Sequence, residues 1–156
     1  MSNPDYKMLE AQVNALLEGE PDVLANTSNF VALLFNELDD INWIGVYVLR
    51  RDELVLGPFQ GKPACVRIPL GQGVCGTAAA SLQTQRVANV HEFPGHIACD
   101  GASESELVVP LIVDGTLVGV LDIDSPSLDR FSSTDQAGIE RSVAAFCAAL
   151  AGKNFI

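Results

Sequence analysis

The sequence has few basic residues and no long hydrophobic run. Its 156 residues include 9 Lys and Arg against 20 Asp and Glu, a formal net charge of −11. Because nucleic acids and anionic membranes are bound by clustered Lys and Arg, we expect neither as a partner. No stretch approaches the roughly 18 consecutive apolar residues of a membrane span, and the N-terminus lacks the basic and apolar regions of a signal peptide. We therefore expect a cytoplasmic protein.

The four cysteines lack the CxxC pairing that is typical of structural zinc sites. His91 and His96 lie near only one of them in the sequence. We therefore expect no metal and no other cofactor. In a cytoplasmic protein these cysteines would be thiols at rest rather than a disulfide framework.

Repeats, low-complexity segments and linkers are also absent from the sequence. Hydrophobic residues make up 48% of the chain and charged residues 19%, which is enough apolar material to fold without disulfides or metal. This length and composition predict one domain over residues 1–156.

Helical periodicity is found at both ends of the chain. It predicts a helix from Pro4 to Gly19, a second after Pro21 and a last one that follows Phe131. Alternating and glycine-bounded segments predict about five or six short antiparallel strands between them. In this middle part the sequence predicts a strand at 64–69, a short helix at 77–82, a strand at 86–90 and a loop at 91–105.

These elements predict an α+β domain. The terminal helices would cover one face of the sheet, and the other face would carry loops, the short helix and a ligand pocket. The first strand supports this arrangement, because Trp43 and Tyr47 point to one face with Gly45 between them. Two such aromatic side chains fit either a core or the wall of a pocket.

The clearest turn is Asp114–Gly115, a dipeptide favoured in two-residue hairpins. Asp122 and Asp124 share a face of the following strand, whereas a two-residue turn places Glu106 opposite Ile123. A bulge or twist is therefore needed to bring the three carboxylates together. If they converge, one would stay protonated as an acid and an ionised one would bind an ammonium group.

Structural roles are the alternative for two of these acids. Asp124 would cap the turn that follows it, and Glu106 would be solvated at the end of its strand. Asp122 does not fit that interpretation, because it lies within an apolar run.

Three cysteines lie outside the expected core. Cys99 is in a polar loop, Cys75 lies between glycines at a helix start, and Cys65 is on a short strand, whereas Cys147 lies on an apolar helix face and is given no role. Each alone fits a structural role, but three together favour redox chemistry. A thiolate that attacks an oxidised substrate becomes a sulfenic acid or disulfide, and a second thiol must release it.

Three segments of the sequence, together with the last hairpin, resemble a known protein family. The hairpin LVVPLIVDGTLVGVLDIDSPSLDRFSSTDQAGIE is similar to the end of a GAF domain, a signature shared by many sensor domains. INWIGVYVL, LGPFQGKPACVRIPLGQGVCGTAA and HIACDGASESELVVPL resemble the free methionine-(R)-sulfoxide reductases, a stand-alone GAF family, from about Tyr6 to Leu150. The resemblance implies reduction of free L-methionine-(R)-sulfoxide to L-methionine.

The resemblance also implies roles for individual residues. Cys99 corresponds to the attacking cysteine, Cys65 to the main resolving cysteine and Cys75 to a further thiol that exchanges disulfides. The remaining positions match active-site acids and substrate-pocket residues, namely Glu106, Asp122, Asp124, Trp43 and Tyr47. Thioredoxin as the reductant and a homodimer are expected on the same basis.

The alternative is a non-catalytic GAF module that binds a small ligand or senses oxidants through its cysteines. Such sensors are normally joined to an output domain, and we expect none in this protein.

Overall fold

The computed structural model describes residues 4–97, 99 and 101–156. The elements follow the chain in this order: α1 (Tyr6–Leu17), α2 (Val23–Glu37), β1 (Trp43–Arg50), β2 (Glu53–Gln60), β3 (Arg67–Pro69), α3 (Gly73–Ser81), β4 (Gln85–Val87), a 3₁₀ turn (Val90–Glu92), β5 (Ser105–Val113), β6 (Thr116–Ser125) and α4 (Ser133–Ala149). No helix among these described residues is long and apolar enough to span a bilayer.

The strands form one antiparallel sheet in the order β3-β2-β1-β6-β5-β4. Ile44, Val46 and Val48 of β1 pack in a core with α1, α2 and α4. The alternate residues Trp43 and Tyr47 pack in a second core with α3. The predicted α+β fold, with terminal helices on one face and the short helix on the other, is therefore confirmed.

Side-chain caps fix where the long helices begin. Asp5 and Asp22 accept hydrogen bonds from backbone N–H groups in the first turns of α1 and α2. Ser132 and Asp135 form a reciprocal capping box at the start of α4. Asp135 also accepts a 2.6 Å hydrogen bond from the Tyr6 hydroxyl, which ties α1 to α4.

The β5–β6 hairpin turns at Asp114 and Gly115, which both have positive φ, as a type I′ turn requires. Near the turn Ile112 pairs with Leu117, but the next residue, Leu111, pairs with Gly119. This bulge shifts the register by one residue for the rest of the hairpin.

Three predicted segments differ in extent from the structure. The strand at 64–69 is shorter, because only Arg67–Pro69 pairs with β2. The strand at 86–90 is instead Gln85–Val87, and Val90 begins a 3₁₀ turn. The short helix begins at Gly73 rather than Thr77, since Gly73 and Gly76 join the alanine-rich segment in one helix.

Candidate active site

A small cavity lies between the α3 side of the sheet and the segment that carries Cys99. Its volume is about 30 Å³. Every predicted site residue except Cys65 and Trp43 lines this cavity. The full set of lining residues is Tyr47, Ile68, Gly73, Val74, Cys75, His96, Ile97, Cys99, Ser103, Glu106, Asp122 and Asp124. The Cys99 sulfur and the three acids of the last hairpin therefore border one space.

A second cavity of about 10 Å³ adjoins the first and is lined by Trp43 and Ala64. Tyr47, Cys99, Asp122 and Asp124 line both cavities. The indole and phenol rings are stacked with centroids 5.9 Å apart. Because the cavities share these walls, displacement of Cys99 would join them into one larger pocket.

Cys99 is joined by a disulfide to Cys65, and their Cα atoms are 5.4 Å apart. Cys65 lies just before β3, and its backbone oxygen accepts a 2.9 Å hydrogen bond from the Tyr47 hydroxyl. The Trp43 indole N–H similarly donates to the backbone oxygen of Lys62 at 3.0 Å. The two aromatic residues of β1 thus hold the segment that carries Cys65 over the sheet.

The bulge in the hairpin explains how the acids converge. Glu106 pairs with Asp124, and Asp122 pairs with Val108, so all four residues share one face of the sheet. Glu106 and Asp122 are each only 6% exposed. The sequence analysis required a bulge or twist to bring the three carboxylates together, and the structure contains the bulge.

Glycine at position 45 leaves the space between the two aromatic residues. Gly45 pairs with Asp122 across the β1–β6 ladder. A Cβ atom at this position would lie 2.4 Å from the Trp43 ring and 2.6 Å from Phe59 Cβ. A larger residue there would displace the indole that borders the second cavity.

Burial and mutual repulsion set the protonation of the acids. Burial, followed by the charges of Asp122 and Asp124, raises the pKa of Glu106 well above its usual range. Burial also raises the pKa of Asp122, but hydrogen bonds from Glu106 and Cys75 oppose that rise. At Glu106 burial and the neighbouring charges act together to favour the protonated form, whereas at Asp122 the hydrogen bonds act against burial.

The expectation that Cys75 lies outside the core is wrong, because it is buried in the second core and its thiol is unlike an activated nucleophile. Cys75 is 4% exposed, and burial together with the neighbouring acids raises the pKa of its thiol. The helix start at Gly73 places this sulfur against the sheet, where it hydrogen-bonds to Asp122. A thiol held in its protonated form is a weak attacking group.

Known proteins are similar to this chain in both fold and sequence. Residues 24–150 match the GAF domain family. The chain is 56% identical to the free methionine-R-sulfoxide reductase of Escherichia coli over 139 residues, which cover 89% of this chain and 84% of the relative. It belongs to the free methionine-R-sulfoxide reductase family.

Solved structures agree with this assignment. The fRMsr of Staphylococcus aureus in complex with substrate is 50% identical, with a TM-score of 0.92, and covers 97% of this chain and 99% of that one. The free methionine-R-sulfoxide reductase of Neisseria meningitidis in complex with its substrate is 40% identical, with a TM-score of 0.89, and covers 96% of this chain and 92% of that one.

Two polar residues that line the first cavity were not predicted from sequence. His96 Nε2 lies 3.8 Å from Glu106 Oε1, and burial lowers the pKa of the imidazole. The buried Ser103 hydroxyl accepts a 3.2 Å hydrogen bond from the Asn42 amide. For both residues the only signal in the sequence is proximity to Cys99.

Proposed function

We propose that this chain reduces free L-methionine-(R)-sulfoxide, with Cys99 as the attacking thiol and Cys65 as the resolving thiol. The observation that carries these two roles is the disulfide that joins Cys65 to Cys99, since Cys99 lines the cavity that holds the three acids. Cys99 attacks the sulfoxide sulfur, the oxygen passes to the cysteine, and the products are methionine and a Cys99 sulfenic acid. Cys65 then displaces water from that acid and forms the disulfide.

Glu106 is the acid that donates a proton to the sulfoxide oxygen. Its pKa is raised by burial and by two neighbouring carboxylates, so it retains a proton when ordinary carboxyl groups have lost theirs. It faces the same cavity as Cys99. Tyr47 is a less suitable donor, because burial and the nearby acids raise the pKa of its hydroxyl and that hydroxyl already donates to Cys65.

Asp122 is the carboxylate that binds the substrate ammonium. No N–H or side-chain hydroxyl among the described residues donates to its Oδ1, although this atom is buried. A buried oxygen without a donor is costly, and an ammonium group would supply one. Asp124, which pairs with Glu106, lies beside it in the same cavity.

The S-methyl group would occupy the second cavity, against the Trp43 ring. With the disulfide closed, the two cavities hold about 30 and 10 Å³. These volumes suit a few waters at about 10–15 Å³ each, not an amino acid. Reduction therefore has to release Cys99 before substrate can enter. Residues 98 and 100, whose backbone N–H groups would contribute to binding the substrate carboxylate, lie outside the described residues.

Thioredoxin is the proposed reductant, and the cytoplasm is the proposed location. A catalytic disulfide has to be reduced after every turnover, and the cytoplasm maintains the thiols that do so. Cys75 would exchange disulfides only after its burial is relieved. A homodimer is proposed from the family resemblance, and the molar mass in solution tests it.

Substrate incubation tests the proposed reaction. The reduced protein is incubated with each epimer of free methionine sulfoxide and with a methionine-sulfoxide peptide, and methionine formed and thiols lost are measured. We expect turnover of the free (R) epimer. Turnover of the peptide but not the free amino acid would refute the proposed pocket, and turnover of neither would favour the sensor.

Cysteine variants test the roles of the two thiols. Cys99→Ser should produce no methionine, even in a single turnover. Cys65→Ser should produce about one methionine per protein and then stop, because the sulfenic acid has no partner. Cys147→Ser is the matched control, since this cysteine lies on α4 and is buried in the core on the other face of the sheet from the cavity. A burst from Cys99→Ser would exclude it as the attacking group.

A further inference from the structure

Three metal-binding atoms converge on the inner wall of the first cavity. Cys75 Sγ and one carboxylate oxygen from each of Glu106 and Asp122 all lie within 4.8 Å of one another. We infer that these residues, which we call the Cys75 trio, form a binding site for a thiophilic divalent cation of the zinc class. No CxxC pattern marks the site, because α3, β5 and β6 each supply one ligand.

The donor set matches this class of cation. Zn²⁺ binds Cys sulfur at about 2.3 Å and carboxylate oxygen at about 2.0–2.2 Å, usually with four ligands. One sulfur favours zinc or cadmium over magnesium and calcium, which take oxygen ligands. The trio supplies three ligands and leaves a fourth position for water.

An independent observation points to a ligand at this place. Asp122 is 6% exposed, yet its Oδ1 receives no N–H or side-chain hydroxyl donor from the described residues. This atom belongs to a carboxylate that lines both cavities. A cation bound there would give this oxygen a partner.

The available space suits an ion. The cavity of about 30 Å³ exceeds the roughly 10–15 Å³ that one water needs, so an ion and a water fit while the disulfide is closed. Ligands of a tetrahedral zinc are roughly 3.5 Å apart, given bonds of about 2.0–2.3 Å. Small side-chain rotations bring atoms that are within 4.8 Å to that distance.

The site does not depend on the proposed reaction, since it uses neither Cys65 nor Cys99. It overlaps with the proposed position of the substrate ammonium at Asp122. An ion bound there would therefore exclude substrate, a consequence that rests on the proposed function.

A cadmium titration of the oxidised protein tests the site directly. In this form Cys65 and Cys99 are joined, so Cys75 and Cys147 are the remaining thiols. We expect the ultraviolet absorption of a cadmium–thiolate bond to saturate at one equivalent. Zinc should remove the signal by competition, and excess magnesium should not.

Matched variants locate the bound ion. Cys147→Ser should keep the signal and Cys75→Ser should lose it, while Asp122→Asn should weaken binding by at least about tenfold. An absent signal, a signal retained by Cys75→Ser or one lost in Cys147→Ser would overturn the inference.

X-ray absorption spectroscopy of the zinc-loaded, oxidised wild-type protein gives an answer that depends on no variant. The Cys75 trio requires one sulfur ligand, with oxygen or nitrogen as the others. Zero sulfurs or two sulfurs around zinc would overturn the site. Methionine formation is not measured in either experiment, so failure of the proposed reaction and failure of this site are distinguishable.

Discussion

Replacing Glu106 with Gln should change how stability depends on pH. The pKa of Glu106 is raised in the folded protein by burial and by the charges of Asp122 and Asp124. As pH rises above about 4.3, the unfolded chain loses this proton while the folded protein keeps it, so folding becomes less favourable. The wild-type protein therefore loses up to about 1.4 kcal/mol per pH unit, until pH passes the folded pKa.

Glu106→Gln removes this loss, because glutamine does not titrate and its amide still donates to Asp122. Urea unfolding of the oxidised proteins between about pH 5 and pH 7 measures the effect, with Glu18→Gln as an exposed control. The variant should gain up to roughly 2.7 kcal/mol over the wild type across that interval. A constant difference, or a difference of opposite sign, would show that Glu106 does not hold the proton.

The same variant should slow turnover, since glutamine cannot donate the proton that the sulfoxide oxygen needs. Loss of a general acid costs about 10²–10⁴-fold in rate. This range corresponds to roughly 2.7–5.4 kcal/mol of activation free energy. Single-turnover formation of methionine measures it, and a rate within about twofold of wild type would assign proton donation to another group.

Three further predictions concern the scaffold and its pH limits. Gly138→Ala should destabilise the protein by about 1–3 kcal/mol in urea unfolding, because the added Cβ would lie 2.1 Å from the Tyr6 ring. Tyr47→Phe should lower the unfolding free energy by about 0.5–1.5 kcal/mol, since the Cys65 oxygen loses its donor. Burial raises the pKa of Asp135, but hydrogen bonds from Ser132 and Tyr6 outweigh burial and lower that pKa. The stabilisation that the ionised Asp135 gives the folded protein should therefore be lost as pH falls, and Asp135→Asn should make the unfolding free energy less dependent on pH in acid.

The fold could be predicted from sequence where a local pattern, such as alternation or a turn dipeptide, matches the burial seen in the structure. The alternation in β1 predicted which residues face each core, and Asp114–Gly115 predicted the hairpin turn. The register was not predictable from the turn alone, because the bulge shifts it. Gly119 is the available signal, since a Cβ there would lie 2.2 Å from the Tyr47 backbone oxygen.

The sequence indicated most of the residues that line the two cavities, but not their protonation. The family motifs indicated two cysteines, three acids and two aromatic residues that line the two cavities, whereas Cys65 is connected to them through its disulfide with Cys99. Composition does not show that Cys75 is buried, since that follows from a helix that begins at Gly73 rather than in the alanine run. His96 was missed because its approach to Glu106 depends on tertiary contacts of a loop.

The bulge in the hairpin links the fold to the proposed chemistry. With the register of the turn, Glu106 would face the helical core, where a buried carboxyl group would have neither Asp122 nor Cys75 beside it. The one-residue shift turns Glu106 towards Cys99 and places it next to two further carboxylates. The same shift therefore raises the pKa of the acid and places its carboxyl group in the cavity that Cys99 also lines.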